Sequence, residues 1–196
     1  MPRPDRLCTC LFGLLMLAAV GPGCAALNVQ RPTASLRSAD VAEVTAEGMT
    51  VHFDVGVNNP NAVAIPLTAA DYRLALGGVQ VIDDQVQPKE SIPANGSADV
   101  TLPVRLSFRD LLAAEQAIAR SGGNVPYSFD GALQFSPGNV PHSGPVRVPV
   151  KFSGTLPLRD AFESVIRNPS VLANPDARRI LQSVLGGNIL GDLLGR

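Results

Sequence analysis

Two histidines, one pair of adjacent aspartates and a single cysteine beyond an apolar leader are the groups from which this 196-residue chain would have to build chemistry. A Ser or Thr nucleophile needs a base within hydrogen-bond reach, and only His52 and His142 offer an imidazole. His52 falls on the polar side of an alternating stretch and His142 in a Pro-Gly loop, so both read as solvated side chains rather than as a base or a ligand. Asp83-Asp84 could seed a cation site, but adjacent residues of an extended segment point to opposite faces, and only a turn makes their carboxylates converge. A solvated turn is the expectation there. Asn95-Gly96-Ser97 spells a glycosylation acceptor and equally an Asn-Gly hairpin turn, and it is read as the turn. No catalytic, cofactor-binding or metal-ligating residue is assigned, and no enzyme activity is expected.

The cysteine offers modification instead. Arg3 and Arg6 precede a mostly apolar run from Leu7 to Val20, and Gly21-Pro22-Gly23-Cys24 follows, which is the outline of an export signal. A helix over that run spans about 21 Å, short of the roughly 30 Å of a bilayer core, so cleavage is a better reading than a permanent span. The segment resembles a bacterial lipoprotein signal, in which a Cys preceded by small residues is acylated and becomes the mature N-terminus. That resemblance makes residues 1–23 the signal peptide and Cys24 the lipidation site, with an ordinary signal peptide cut nearby as the alternative. Cys8 and Cys10 lie inside the signal, leaving Cys24 with no partner for an internal disulfide and no thiol cluster for metal. By the same resemblance, Ala25 in place of Asp after the cysteine points to the outer membrane, facing the periplasm. The membrane, reached through this anchor, is the expected partner.

Composition narrows the rest. With 45% hydrophobic and 17% charged residues and a net charge of −1, the chain can bury a core, and it lacks the basic character of a nucleic-acid binder. Aromatics make up 5% and Trp is absent, which argues against a sugar platform or a base-stacking surface.

The elements that would position these groups are strands. Met49, Val51, Phe53, Val55 and Val57 alternate with polar residues and Gly56, the pattern of a strand with one buried face. Tyr72, Leu74 and Leu76 repeat it before the Gly77-Gly78 hairpin signal; Val100 to Phe108 repeat it again, as do Tyr127 to Phe135 and Val146 to Phe152. Pro103 and Pro149 cannot donate to a ladder, which places their strands at sheet edges. One helix interrupts the series: Leu111, Leu112, Glu115, Ile118 and Ala119 keep helical spacing before a Gly122-Gly123 stop.

The strand from Met49 ends in Asn58-Asn59-Pro60-Asn61. Pro60 lacks the amide hydrogen that would continue the ladder, and Asn58 and Asn61 are expected to bond their own backbone. This Asn59-Pro60-Asn61 turn carries a resemblance. With the Tyr72-to-Leu76 strand, Ile92-Pro93-Ala94 and Leu102-Pro103-Val104, it resembles the late-embryogenesis-abundant type 2 family, also called the WHy domain, over about Val41 to Leu156. Membership implies an antiparallel fibronectin-III-like β-sandwich, mainly β, with one inserted helix, and a structural role for Asn59, Pro60 and Asn61.

Residues 24–40 read as a tether, 41–156 as the sandwich domain and 157–196 as a helical tail. Leu158, Ala161, Phe162, Val165 and Ile166 share one face; Asn174-Pro175 starts a second short amphipathic helix; Ile189, Leu190, Leu193 and Leu194 line one side of the last stretch. The helices are expected to pack on the sandwich, with an apolar ligand or protein partner as the alternative occupant of their face. Two functions remain: a lipid-anchored, non-catalytic module in stress protection or envelope structure, or an envelope carrier binding a lipid between sandwich and tail.

Overall fold

The computed structural model describes residues 30–136, 145–166 and 168–185. Cys24, His142 and the stretch from Ile189 to Leu194 lie outside these residues. Eight strands pair antiparallel in two sheets. The first holds β1 (Thr33–Val44), β2 (Gly48–Asn59) and β6 (Gly96–Ser107) in the order β1-β2-β6. The second runs β4-β3-β7-β8, with β3 at Ile65–Leu76, β4 at Val79–Val86, β7 at Asn124–Phe135 and β8 at Val146–Pro157. The short β5 (Glu90–Ile92) resumes the pairing with β3 where β4 has left it.

The core lies between the sheets, on the faces that the alternation marks. Met49, Val51, Phe53, Val55 and Val57 are all buried, and facing them are Tyr72, Leu74, Tyr127, Phe129 and Leu133. Phe129 is the centre of an aromatic cluster. Phe53 reaches it across the sandwich at 4.8 Å, and Tyr72 and Phe152 stack along its own sheet at 5.7 Å each. Such offset pairs add to the stabilisation from burial itself. Gly77 and Gly78 turn β3 into β4 with φ of 55° and 85°, the left-handed pair that a two-residue hairpin demands and that glycine adopts without strain. β6 and β8 are sheet edges, as Pro103 and Pro149 require.

Four expectations need correction. The presumed tether is already a strand from Thr33 onward. Its pairing with β2 skips Arg37 and Ala42, so the residues packed against the core are Ala34, Leu36, Ala39, Val41 and Val44. Two bulges turn an interval of two into alternating intervals of two and three, which hides the strand from a search for strict alternation. Asn95-Gly96 is a turn, with Asn95 at φ 48°, but not a hairpin: it carries the chain from β5 in one sheet to β6 in the other. Asp83-Asp84 lies within β4 rather than in a turn. The inserted helix is two pieces, α1 (Phe108–Ala113) and α2 (Glu115–Arg120), broken at Ala114, whose φ and ψ of −102° and 10° leave the helical region. The break lets both pieces lean on the tail.

The tail forms three helices among the described residues, α3 (Leu158–Val165), α4 (Pro169–Ala173) and α5 (Pro175–Leu185). Asn174 caps α5 by accepting from the amides of Asp176 and Ala177, and its own amide nitrogen donates to Ala46 O at 2.8 Å, in the β1–β2 turn. One side chain thus starts a helix and fixes it to the end of the sandwich. Ala177, Ile180, Leu181, Val184 and Leu185 are buried, and Arg179 pairs with Glu115 of α2 at 2.9 Å. No described helix is long and apolar enough to cross a membrane.

Because α5 shares one core with the sheets, Leu181→Ala should lower the unfolding free energy by about 2–5 kcal/mol. Helix and sheet signals should be lost in one transition in a denaturant titration. A separate early loss of helix would mean that the tail is a distinct unit.

Candidate functional site

Strand parity points Asn59 inward: the face that buries Met49 through Val57 reaches it next. Its residue is fully buried and Asn61 is 7% exposed, the two buried polar residues among those described. A buried amide without partners is destabilising, so the bonding of these two decides what the turn is for. Asn59 Oδ1 accepts from Asn61 N at 3.0 Å and from Asn61 Nδ2 at 2.8 Å. Asn59 Nδ2 donates to Val63 O at 2.8 Å and Pro93 O at 3.0 Å, with Ile92 O at 3.4 Å. Asn61 Nδ2 gives its other hydrogen to Gln30 O at 2.9 Å, Asn61 Oδ1 accepts from Gln30 N at 2.7 Å, and Asn61 O accepts from Asn95 N at 2.8 Å. Both carboxamides are spent on backbone and on each other. The turn binds three stretches of its own chain, at Gln30, at Val63 and from Ile92 to Asn95.

The sequence reading placed this local bonding on Asn58 and Asn61. Asn58 in fact faces outward, where its Oδ1 accepts from Ser97 Oγ at 3.1 Å, the Asn61 side chain bonds the distant Gln30 backbone and the Asn59 side chain, and Asn59 is the residue whose side chain closes the turn. Continuing the alternation one step past Val57 would have found it.

The other polar constellation covers the outer face of the second sheet. Asp83, Arg73, Asp130 and Lys151 stand directly opposite one another across β4, β3, β7 and β8, a row of alternating charge. Asp130 meets Lys151 at 2.8 Å and Arg73 at 3.9 Å. In the adjacent row, Asp71 accepts from Gln85 and Gln134 and pairs with Arg147. Asp71, Arg73, Asp83, Asp130 and Arg147 line an open groove of about 530 Å³.

Gln85 most of all, then Gln134 and Arg147, hold the Asp71 carboxyl below the usual carboxylate value against the opposing effect of burial. Lys151 does the same for Asp130. On the first sheet, the hydroxyls of Thr101 and then Ser38 lower Asp54, at 2.6 Å and 3.0 Å. These carboxylates are held ionised, the opposite of what a general acid needs.

His52 faces outward between Asp40 and Pro103. Asp83 stands opposite Arg73 and Asp84 opposite Tyr72, so the pleat sends the two carboxylates to opposite sides. Among the described residues no three His, Cys, Asp or Glu converge on a metal site.

The chain is thus a two-sheet antiparallel sandwich whose buried polar residues, among those described, form an asparagine turn, with paired charges on its outer face. The sequence profile described as Late embryogenesis abundant protein matches residues 54–154, and the chain belongs to that family. It is 24% identical over 138 residues to a desiccation-related protein of Arabidopsis thaliana, covering 69% of this chain and 81% of that one. It is 23% identical over 131 residues to a desiccation protectant protein of Glycine max, covering 67% and 84%. The solution structure of another Arabidopsis thaliana protein matches with a TM-score of 0.54 at 17% identity, over 65% of this chain and 82% of that one. The solution structure of the desiccation-related protein matches at 0.52 and 23%, over 65% and 71%. These likenesses establish the fold.

Two outcomes follow from the geometry. Asn59→Ala strands the carbonyls of Val63 and Pro93 and the amide of Asn61, and should lower stability by roughly 2–4 kcal/mol, against about 1 kcal/mol for Asn61→Ala, in urea titrations. Equal effects would mean that Asn59 is not the hub. The lowered carboxylates contribute stability that is complete above the ordinary carboxylate pKa of about 4 and is lost as pH falls through their lower folded-state values. Melting temperature should therefore hold between about pH 5 and 7 and decline below about pH 4, and Asp71→Asn should make that acid decline shallower.

Proposed function

We propose that this protein is a non-catalytic desiccation-protection module of the bacterial cell envelope, held at the outer membrane by acylation of Cys24 and facing the periplasm. The observation that carries the protective reading is that the buried polar side chains are satisfied by the protein itself. Among the described residues, every buried side-chain nitrogen and oxygen has a partner within the protein. These side chains have partners that remain in place when water is withdrawn. Outside, the Asp83-Arg73-Asp130-Lys151 row adds little in dilute solution, where exposed pairs are screened, but its attraction grows as drying lowers the surrounding dielectric. The names of the Arabidopsis and soybean relatives, desiccation-related and desiccation protectant, fit the same reading. So does the export signal: each buried CH₂ of an acyl chain contributes about 0.8 kcal/mol, and more than one chain is needed to hold a domain firmly.

The carrier reading is the weaker of the two. The space between sandwich and tail, where a carrier would seat its ligand, is filled by Ile180, Leu181, Val184 and Leu185 packed into the common core.

A reporter enzyme dried and rehydrated with the protein should keep several-fold more activity than with an equal mass of serum albumin; equal recovery would overturn the protective reading. Fatty-acid labelling in cells, abolished by Cys24→Ser, tests the anchor separately. The double variant Arg73→Ala with Lys151→Ala should melt almost as the unmodified protein does in dilute buffer, yet retain less native sheet signal by infrared spectroscopy after drying.

A further inference from the structure

Asn61 does something that closure of its own turn does not require. Its Oδ1 accepts from Gln30 N at 2.7 Å and its Nδ2 donates to Gln30 O at 2.9 Å. One carboxamide thereby pairs both backbone groups of a residue that precedes β1, as a neighbouring strand would. Gln30 is six residues from Cys24, and at about 3.3–3.6 Å per residue those six reach no further than roughly 20 Å.

The two ends of the sandwich lie further apart than that. β2 runs its 12 residues from the Ala46 turn, to which Asn174 fixes the helices, to the Asn59 turn, a distance of roughly 40 Å. A chain held at Cys24 and clamped at Gln30 has one end of the sandwich within reach of its anchor and the other out of reach. The near end carries Pro60, Pro93, Ala94 and Val63, which is 37% exposed and one of two large apolar side chains so exposed among the described residues.

We propose that the end of the sandwich bearing the Asn59-Pro60-Asn61 turn is the face presented to a phospholipid surface, and that Asn61 is the clamp that sets this orientation. The helical layer of α1, α2 and α5 then points away from the bilayer. This proposal rests on anchoring at Cys24, and its test supplies that anchoring chemically, so that the two ideas fail separately.

The chain from Cys24 onward contains every described residue and has Cys24 as its sole thiol. It is coupled through that thiol to a maleimide lipid in phosphatidylcholine vesicles that also carry a dansyl-labelled lipid. The protein has no Trp, so Val63→Trp or Arg178→Trp supplies the sole tryptophan donor. Energy transfer to the dansyl lipid should be strong from position 63 and several-fold weaker from position 178. Adding Asn61→Ala should bring the two values together. Gln30→Pro, which removes the amide hydrogen that Asn61 Oδ1 accepts and touches none of the bonds of Asn59, should act in the same direction if Asn61→Ala impairs folding. Equal transfer from the two positions with the clamp intact, or stronger transfer from position 178, would overturn the orientation. Orientation that persists in Gln30→Pro and Asn61→Ala would overturn the role of the clamp.

Discussion

The fold depends on one buried carboxamide. The chain must leave the second sheet after β5 and enter the first at β6, and at that crossing Ile92 is the last residue of the β5 ladder and Pro93 lies between the two sheets. Asn59 Nδ2 reaches Pro93 O at 3.0 Å, with Ile92 O close by at 3.4 Å, from the last residue of β2. The two sheets are therefore joined by polar bonds as well as by packing. Pro60 prevents β2 from running on, which keeps Asn59 at the end of its strand, where the crossing passes. Remove the carboxamide and buried carbonyls lose their partners, a larger penalty than the net gain from one ordinary hydrogen bond.

At the other end of the sandwich the problem is different, and so is the solution. The strands deliver Met49, Leu106, Tyr127 and Leu156 to an apolar end that needs a cover. α1 and α2 supply part of it, and α5 covers them in turn, with Phe108 and Phe162 at 6.2 Å across the helical layer. The family match stops at residue 154, just before α3 begins. The helical tail thus lies beyond the matched part of the chain, and the apolar side of α5, from Ala177 to Leu185, packs on the chain's own core.

What the sequence made legible follows the regularity of each element. β2 could be read because its inward residues keep an interval of two without a break, and Gly77-Gly78 because a two-residue hairpin leaves few alternatives to glycine. β1 was hidden because bulges at Arg37 and Ala42 break its period, and a bulge depends on the partner strand as much as on the strand itself. Asn95-Gly96 announced a turn truthfully, but a turn sequence carries no information about which sheet receives the chain. The same limit applied to the site. The Asn59-Pro60-Asn61 signature was visible, and so was the parity that turns Asn59 inward. Its partners at Gln30, Val63 and Pro93 are set by the packing of the sheets and have no local signature. The charge row on the second sheet was invisible for a related reason: Asp83, Arg73, Asp130 and Lys151 come from four strands, and only the register brings them together.

A division of labour follows that bears on drying. Apolar burial draws its strength from the surrounding water, and that driving force fades as water is withdrawn. Hydrogen bonds and ion pairs behave the other way, because a lower dielectric strengthens them and removes the solvent that competes for their partners. A fold held only by its core would lose definition as it dried. Here the sheet crossing, the start of β1 and the attachment of α5 are each fixed by an asparagine side chain, Asn59, Asn61 and Asn174, bonded to backbone. The positions at which the architecture could come apart are thus held by interactions that tighten as water leaves.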